Sequence, residues 1–178
     1  MVAINPQTGA VLSMYSNPNY NPAPLTSPIY KVAATAWKID TTNNVHGFPP
    51  LGLVAVQQTF PPGSTFKIVT TSAVLLGKPQ LWFKSYPAVT TISLPQSNRT
   101  LSNFAFGSCG GDIPAMLPPS CDTGYAMLGL DLGGDLLAST ANAFGFNSTP
   151  PLDLPNTLPS YFPPASSFLT KGLSSRLR

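Results

Sequence analysis

Glutamate is missing from this chain altogether. All six acidic residues are aspartates, Asp40, Asp112, Asp122, Asp131, Asp135 and Asp153, so any mechanism that requires a glutamate is excluded. Charge of either sign is scarce: nine Lys and Arg stand against six acids, charged residues make up 8% of the chain and the formal net charge is +3. The bases are scattered, and without a clustered basic stripe nothing points to a nucleic-acid partner. Histidine occurs once, as His46, with no Asp/Ser constellation near it, and reads as a loop residue rather than a triad base. The two cysteines, Cys109 and Cys121, do not have zinc-site spacing. No metal and no cofactor are expected, and the pair is either a disulfide or two reduced thiols. No apolar run approaches the roughly 18–20 residues needed to span a bilayer. The opening "MVAINPQTGA" also lacks a basic segment followed by an apolar one, so no export signal or membrane anchor is read in this chain.

What is present is a chain of 178 residues that is 43% hydrophobic, enough for one domain with a real core. In "MVAINPQTGAVLSMYS" two apolar runs flank a turn at Asn5-Pro6-Gln7-Thr8-Gly9, which predicts a β-hairpin. "SNPNYNPAPLTSP" predicts an irregular loop, and positions 31 to 52 carry only a weak signal. "STFKIVTTSAVLLG" follows a Pro-Pro-Gly stop and ends at Gly77, the pattern of an almost wholly buried helix. "VTTISL" (89–94) predicts a strand. In "PPSCDTGYAMLGLDLGG" Ser120 is an N-cap candidate for a short helix carrying Tyr125, Met127, Leu128 and Leu130, and "GDLLASTANAFGFN" predicts another. Beyond Asn147 proline and serine dominate, and regular buried strands are not expected. Asn98-Arg99-Thr100 and Asn147-Ser148-Thr149 match the glycosylation triplet, a pattern that recurs by chance.

The stretch "PPGSTFKIVT" carries the chemistry. Residues three apart on a helix lie about 60° from each other around the axis, so Ser64 and Lys67 share a face. A serine hydroxyl is a poor nucleophile until a neighbouring base takes its proton. A lysine can take it only as the neutral amine, a form that burial among Phe66, Ile68 and Val69 would favour. The competing reading is that Ser64 caps the helix while Lys67 snorkels to solvent, and Ser-x-x-Lys alone does not choose between them.

The wider context does. "FPPGSTFKIVT" resembles the active-site block of the class B penicillin-binding proteins, the monofunctional D,D-transpeptidases, in which Pro-Pro-Gly-Ser-Thr-x-Lys opens the central helix. "VAINPQTGAVLSMYSNPNYNP" looks like the first hairpin of that domain, and "SCDTGYAMLGLDLG" followed by "ANAFGFN" sits where the family carries its second motif, Ser-x-Asn. The glycine- and cysteine-containing stretch before it is most similar to the actinobacterial penicillin-binding protein A type. The three blocks occur in the family's order over about residues 1 to 163. The resemblance implies an α/β (α+β) fold, the N-terminal portion of the serine β-lactamase/transpeptidase-like architecture, with helices packed on an antiparallel sheet. It implies Ser64 as the nucleophile acylated by a D-alanyl-D-alanine stem peptide or a β-lactam, and Lys67 as its base. Ser120 would relay the proton to the leaving group, Asp122 would hold Lys67 and the substrate amide, and the Ser64 backbone N–H would be one oxyanion donor. Peptidoglycan stem peptides and β-lactams are the implied partners, alongside other cell-wall synthesis proteins. The family is anchored in the cytoplasmic membrane with this domain outside the cytoplasm; this chain's own location is left open.

The sequence also departs from the family. The second motif reads Ser120-Cys121-Asp122, and an ionised aspartate only accepts hydrogen bonds where asparagine also donates. The third motif, Lys-Thr/Ser-Gly, is not found: Thr170-Lys171-Gly172 has the wrong order. Loss of one oxyanion donor costs about 10²–10³ in rate. Residues 1–163 are therefore expected to form a partial transpeptidase domain without its C-terminal strands, and 164–178 an irregular tail, divergent or out of frame from about Leu169, as a frameshift or early stop would leave. The start is expected to be internal as well. Three readings follow: an acylating transpeptidase domain, a catalytically inactive truncated remnant, and a serine β-lactamase. The missing glutamate counts against the class A form of the last. If the chain is exported, a Cys109–Cys121 bridge would hold Ser120 in place.

Overall fold

A computed structural model describes residues 1–42, 47–95 and 97–169. The first element is the expected hairpin. Strands β1 (Val2–Ile4) and β2 (Val11–Met14) pair antiparallel, Val2 opposite Met14 and Ile4 opposite Val11. Asn5 builds the turn: its Oδ1 accepts from the backbone N–H of Gln7 at 2.8 Å and of Thr8 at 3.3 Å, while Gly9 takes the left-handed conformation at φ 74, where glycine alone is free of steric cost.

Helix α1 (Tyr30–Thr41) fills part of the stretch where sequence signals were weak. The reason is local. Its N-cap is Ile29, which offers no capping oxygen, its first turn has no acid, and it buries no residue, so every usual marker of a helix start is absent. Helix α2 (Val54–Gln57) follows, and the proline-rich return reaches it through Leu158 N–H to the Val56 carbonyl at 2.8 Å. These elements, Met1–Phe60 with Pro150–Leu158, form one compact unit; a second comprises Pro61–Thr149 and the residues from Pro159 onward.

The second unit is organised by helix α3 (Phe66–Gly77), entered through a 3-10 turn at Gly63–Thr65. Its buried residues are Lys67, Val69, Thr70, Ala73 and Val74. The expectation of an almost wholly buried helix is corrected here, because Ile68, Leu75 and Leu76 lie on an exposed face. The single strand expected over 89–94 is also corrected. The chain switches partner at Thr90, so that β3 (Tyr86–Val89) ends and β4 (Thr91–Ser93) begins. Strand β4 pairs with β5 (Thr100–Ser102), and β3 pairs with β6 (Cys109–Gly111), both antiparallel. The α+β class therefore holds, with the described strands in three antiparallel pairs.

Helix α4 (Ile113–Met116) is capped by Asp112, whose side chain accepts from Ala115 N–H at 3.0 Å. Helices α5 (Asp122–Leu132) and α6 (Gly134–Ala143) follow, and a last turn, α7, covers Ser166–Leu169. Ala73 and Val74 of α3, Ile113 and Met116 of α4, and Tyr125, Leu128 and Leu132 of α5 share one core. Gly124 makes the approach of α4 to α5 possible: a Cβ there would stand 2.1 Å from Met116 Sδ and 3.2 Å from Cys121 Sγ. Among the described residues no helix is long and apolar enough to cross a membrane. His46 and positions 170–178 of the expected tail, Thr170-Lys171-Gly172 among them, lie outside the described residues, whereas 164–169 are described and include the α7 turn.

Candidate active site

Two prolines and a glycine at the head of α3 set the geometry. Pro61 and Pro62 have no N–H to contribute to a preceding helical turn, and Gly63 at φ 57 reverses the chain. Ser64 leaves this turn exposed while Lys67, one turn on, is buried. Their shared face, expected from spacing, is observed: Lys67 Nζ stands 3.2 Å from Ser64 Oγ. Phe66 points to the other side, stacked on Phe162 with centroids 5.2 Å apart and met edge-on by Phe146 at 5.6 Å.

Ser120 and Asp122 arrive from the turn that joins α4 to α5. Ser120 occupies the left-handed region at φ 58, a conformation that costs a non-glycine residue on the order of 1–3 kcal/mol unless its surroundings enforce it. Here they do. Ser120 N–H donates to the Leu117 carbonyl at 3.0 Å, Cys121 N–H to the Met116 carbonyl at 2.9 Å, and Cys121 is bonded to Cys109, 12 residues earlier, with Cα atoms 5.7 Å apart. The disulfide decides the alternative that cysteine spacing left open. Ser120 is not the helix cap: Cys121 takes that position, and the strained turn instead aims the Ser120 hydroxyl at Ser64, to which it donates at 2.8 Å.

All four candidate residues therefore meet at one amine. Lys67 Nζ also lies 2.9 Å from Ser120 Oγ, 2.7 Å from the Ser120 carbonyl oxygen and 2.6 Å from Asp122 Oδ1. The side chain of Lys67 is 9% exposed and that of Asp122 32%. The capping and snorkelling reading of Ser64 and Lys67 fails on this geometry, since the helix N-cap is Thr65 without a side-chain cap bond and Lys67 is buried. Asp122 stands first in α5, where the partial positive charge of a helix N-terminus favours a carboxylate.

Tyr125 belongs to the site and sequence reading did not place it there. Its ring face lies 5.6 Å from Lys67 Nζ, and its hydroxyl shares a 2.8 Å hydrogen bond with Thr71, one turn beyond Lys67. Burial pushes the phenol up, the Thr71 bond pulling the other way, so the ring beneath Lys67 is uncharged at neutral pH. The available signal was spacing: Tyr125 is three residues after Asp122 and shares its helix face. Among the described residues no group of His, Cys, Asp or Glu is arranged to hold a metal ion.

A Ser-x-x-Lys helix start and a serine on the turn before a second helix thus bring two hydroxyls and an amine within hydrogen-bond reach of one another. Residues 1–175 match the penicillin binding protein transpeptidase domain, and the chain belongs to that family. It is 38% identical over 155 residues to the peptidoglycan D,D-transpeptidase PbpA of Mycobacterium tuberculosis, an overlap of 84% of this chain and 30% of that protein. The crystal structure of PBPA from M. tuberculosis superimposes with a TM-score of 0.83 at 35% identity, covering 92% of this chain and 38% of the other. Its penicillin G acyl-enzyme complex gives 0.82 at the same identity, with the same two coverages. The chain thus spans about a third of the length of these relatives.

Proposed function

We propose that this chain forms an acyl-enzyme at Ser64, with the D-alanyl-D-alanine stem peptides of peptidoglycan and the β-lactams as acyl donors, as part of a D,D-transpeptidase. The observation that carries the reading is the convergence of Ser64, Ser120 and Asp122 on the buried Lys67 amine. The Ser120 carbonyl and the Asp122 carboxylate can only accept, and they are its two shortest contacts, at 2.7 and 2.6 Å. Lys67 Nζ also reaches the hydroxyls of Ser64 at 3.2 Å and Ser120 at 2.9 Å, and Ser120 Oγ donates to Ser64 Oγ at 2.8 Å, so the nucleophile, its base and a proton relay stand within hydrogen-bond reach of one another. In the proposed step Ser64 Oγ bonds to the donor's carbonyl carbon as its proton passes to Lys67 Nζ. The C–N bond then breaks, the leaving nitrogen takes its proton from Ser120 Oγ, and Lys67 returns one to Ser120. The Ser64 N–H is proposed as one oxyanion donor.

Mycobacterial relatives named as peptidoglycan D,D-transpeptidases and a relative solved as a penicillin G acyl-enzyme support this reading. The Cys109–Cys121 bridge fits an oxidising compartment outside the cytoplasm, where such substrates occur. Incubation of the purified chain with a fluorescent penicillin is the test. Covalent label is expected on the wild type and absent from Ser64→Ala; folded wild-type protein that takes up no label sinks the proposal.

A further inference from the structure

The helix that follows Ser120 begins without a cap of its own. An α-helix starts with four backbone N–H groups that have no partner inside the helix. At the N-cap of α5 stands Cys121, whose sulfur is committed to the disulfide and which gives no side-chain cap bond. Thr123, in the first turn, is fully buried, so water cannot satisfy its N–H. Asn103 Oδ1 accepts from it at 2.9 Å, from 20 positions earlier in the chain.

The Asn103 side chain has no freedom to do otherwise. It is buried, and its two amide hydrogens go to the carbonyls of Val89 at 2.8 Å and Gly107 at 2.9 Å. Turning the amide over would set N–H against N–H at Thr123 and oxygen against oxygen at the other two. Its own N–H donates to the Thr90 carbonyl at 3.1 Å, which fixes the residue at the point where β3 gives way to β4.

We infer that Asn103 is a positioning residue for acylation: a remote cap that fixes the first turn of α5 and, through it, holds Asp122 and the strained Ser120 against Lys67. The disulfide ties the same turn to β6 through Cys109, and backbone bonds tie it to α4. The Asn103 bond, one residue beyond Asp122, adds a tie to the end of β5, on the first turn of the helix itself. The inference rests on the catalytic reading of Ser64 and Lys67.

Two substitutions separate positioning from general support. Asn103→Leu, close in size, removes all three side-chain bonds, whereas Asn103→Asp keeps the acceptor that faces Thr123. In Asn103→Leu the Thr123 amide is expected to lose protection against hydrogen exchange by on the order of 10-fold. The rate constant for labelling by fluorescent penicillin is expected to fall about 10–100-fold, as small misplacements of reacting groups do, with the half-saturating concentration little changed. Asn103→Asp, whose second oxygen faces the Val89 and Gly107 carbonyls in place of the N–H groups, should recover both only in part. Labelling by folded Asn103→Leu at the wild-type rate, or unchanged exchange at Thr123, overturns the inference. Should Asn103→Leu fail to fold, Asn103→Ser, too short to reach Thr123, takes its place under the same criteria. A wild-type chain that takes no label overturns the catalytic reading instead, and the exchange measurement, which needs no turnover, still decides whether the cap exists.

Discussion

Helix α5 carries a lysine–aspartate pair at each end, and the two look alike by distance. Lys67 Nζ and Asp122 Oδ1 are 2.6 Å apart at the start of the helix; Lys84 Nζ and Asp131 Oδ2 are 2.7 Å apart near its end. Each lysine also lies over a tyrosine ring, Tyr125 at 5.6 Å and Tyr86 at 5.3 Å. What separates them is the company. The Lys67 side chain is 9% exposed and touches two hydroxyls besides its carboxylate, whereas that of Lys84 is 46% exposed and reaches Asp131 without a nucleophile in the cluster. Asp131 is instead shared with the Tyr86 hydroxyl at 2.6 Å, while Lys78 donates to the Asp131 carbonyl at 2.7 Å. These cations offset the unfavourable placement of an acid at a helix C-terminus. A short ion pair therefore identifies neither a site nor a brace; burial and the presence of a group with a proton to move do.

The contrast is sharpest when each lysine loses its amine. Lys67→Met is expected to lower the rate of labelling by a fluorescent penicillin about 10²–10⁴-fold, the usual weight of a general base, while the protein stays folded. Lys84→Met should leave labelling unchanged and cost at most about 1 kcal/mol in urea unfolding, as exposed pairs do. Equal losses of labelling in the two variants would erase the distinction.

The covalent tie is the next difference, because only the first end of α5 has one. Reducing the Cys109–Cys121 bridge is expected to destabilise the protein by about 3 kcal/mol, the chain-entropy value for a loop of this size, and to slow labelling as well, since Cys121 stands between Ser120 and Asp122. Stability and labelling that both survive reductant would make the tie incidental.

How much of this was legible beforehand follows from the range of each interaction. Ser64 and Lys67 are three residues apart and their contact is a property of one helical turn, so sequence spacing sufficed. Ser120 and Asp122 lie more than fifty residues further on and were reached through family resemblance alone; read locally, Ser120 looked like a helix cap. That reading failed because the turn before α5 is set by tertiary contacts, at φ 58, and not by local propensity. Tyr125 and Asn103 were missed for the same reason: one reads as an apolar helix residue and the other as a loop polar residue until the fold brings them to Lys67 and Thr123. The exposed side of α3 was misjudged because β-branched and leucine residues mark burial only on average.

The smallest expected effect lies at the far end of α5 and turns on pH. Hydrogen bonds from Lys84 and Tyr86 hold the Asp131 carboxyl below the ordinary carboxylate range, so its ionised form is favoured by folding. Such a group adds stability that is present above the unfolded-state value of about 3.9 and is lost as the pH falls through the lower folded-state value. Asp131→Asn should therefore lower the urea midpoint at pH 7, by a gap that closes as the pH falls through the folded-state value. The side chain is 34% exposed, and water screens its partners, so the gap at neutral pH is expected to be about 1 kcal/mol or less. On the Tyr86 side, burial first and then the Asp131 bond push the phenol up, which keeps it a donor at every pH in this comparison. The closing of the gap can then be assigned to the carboxylate alone. A difference between Asp131→Asn and wild type that stayed constant from pH 7 to acid would mean that this end of the helix is held by shape rather than charge, and the comparison between the two pairs would lose its electrostatic half.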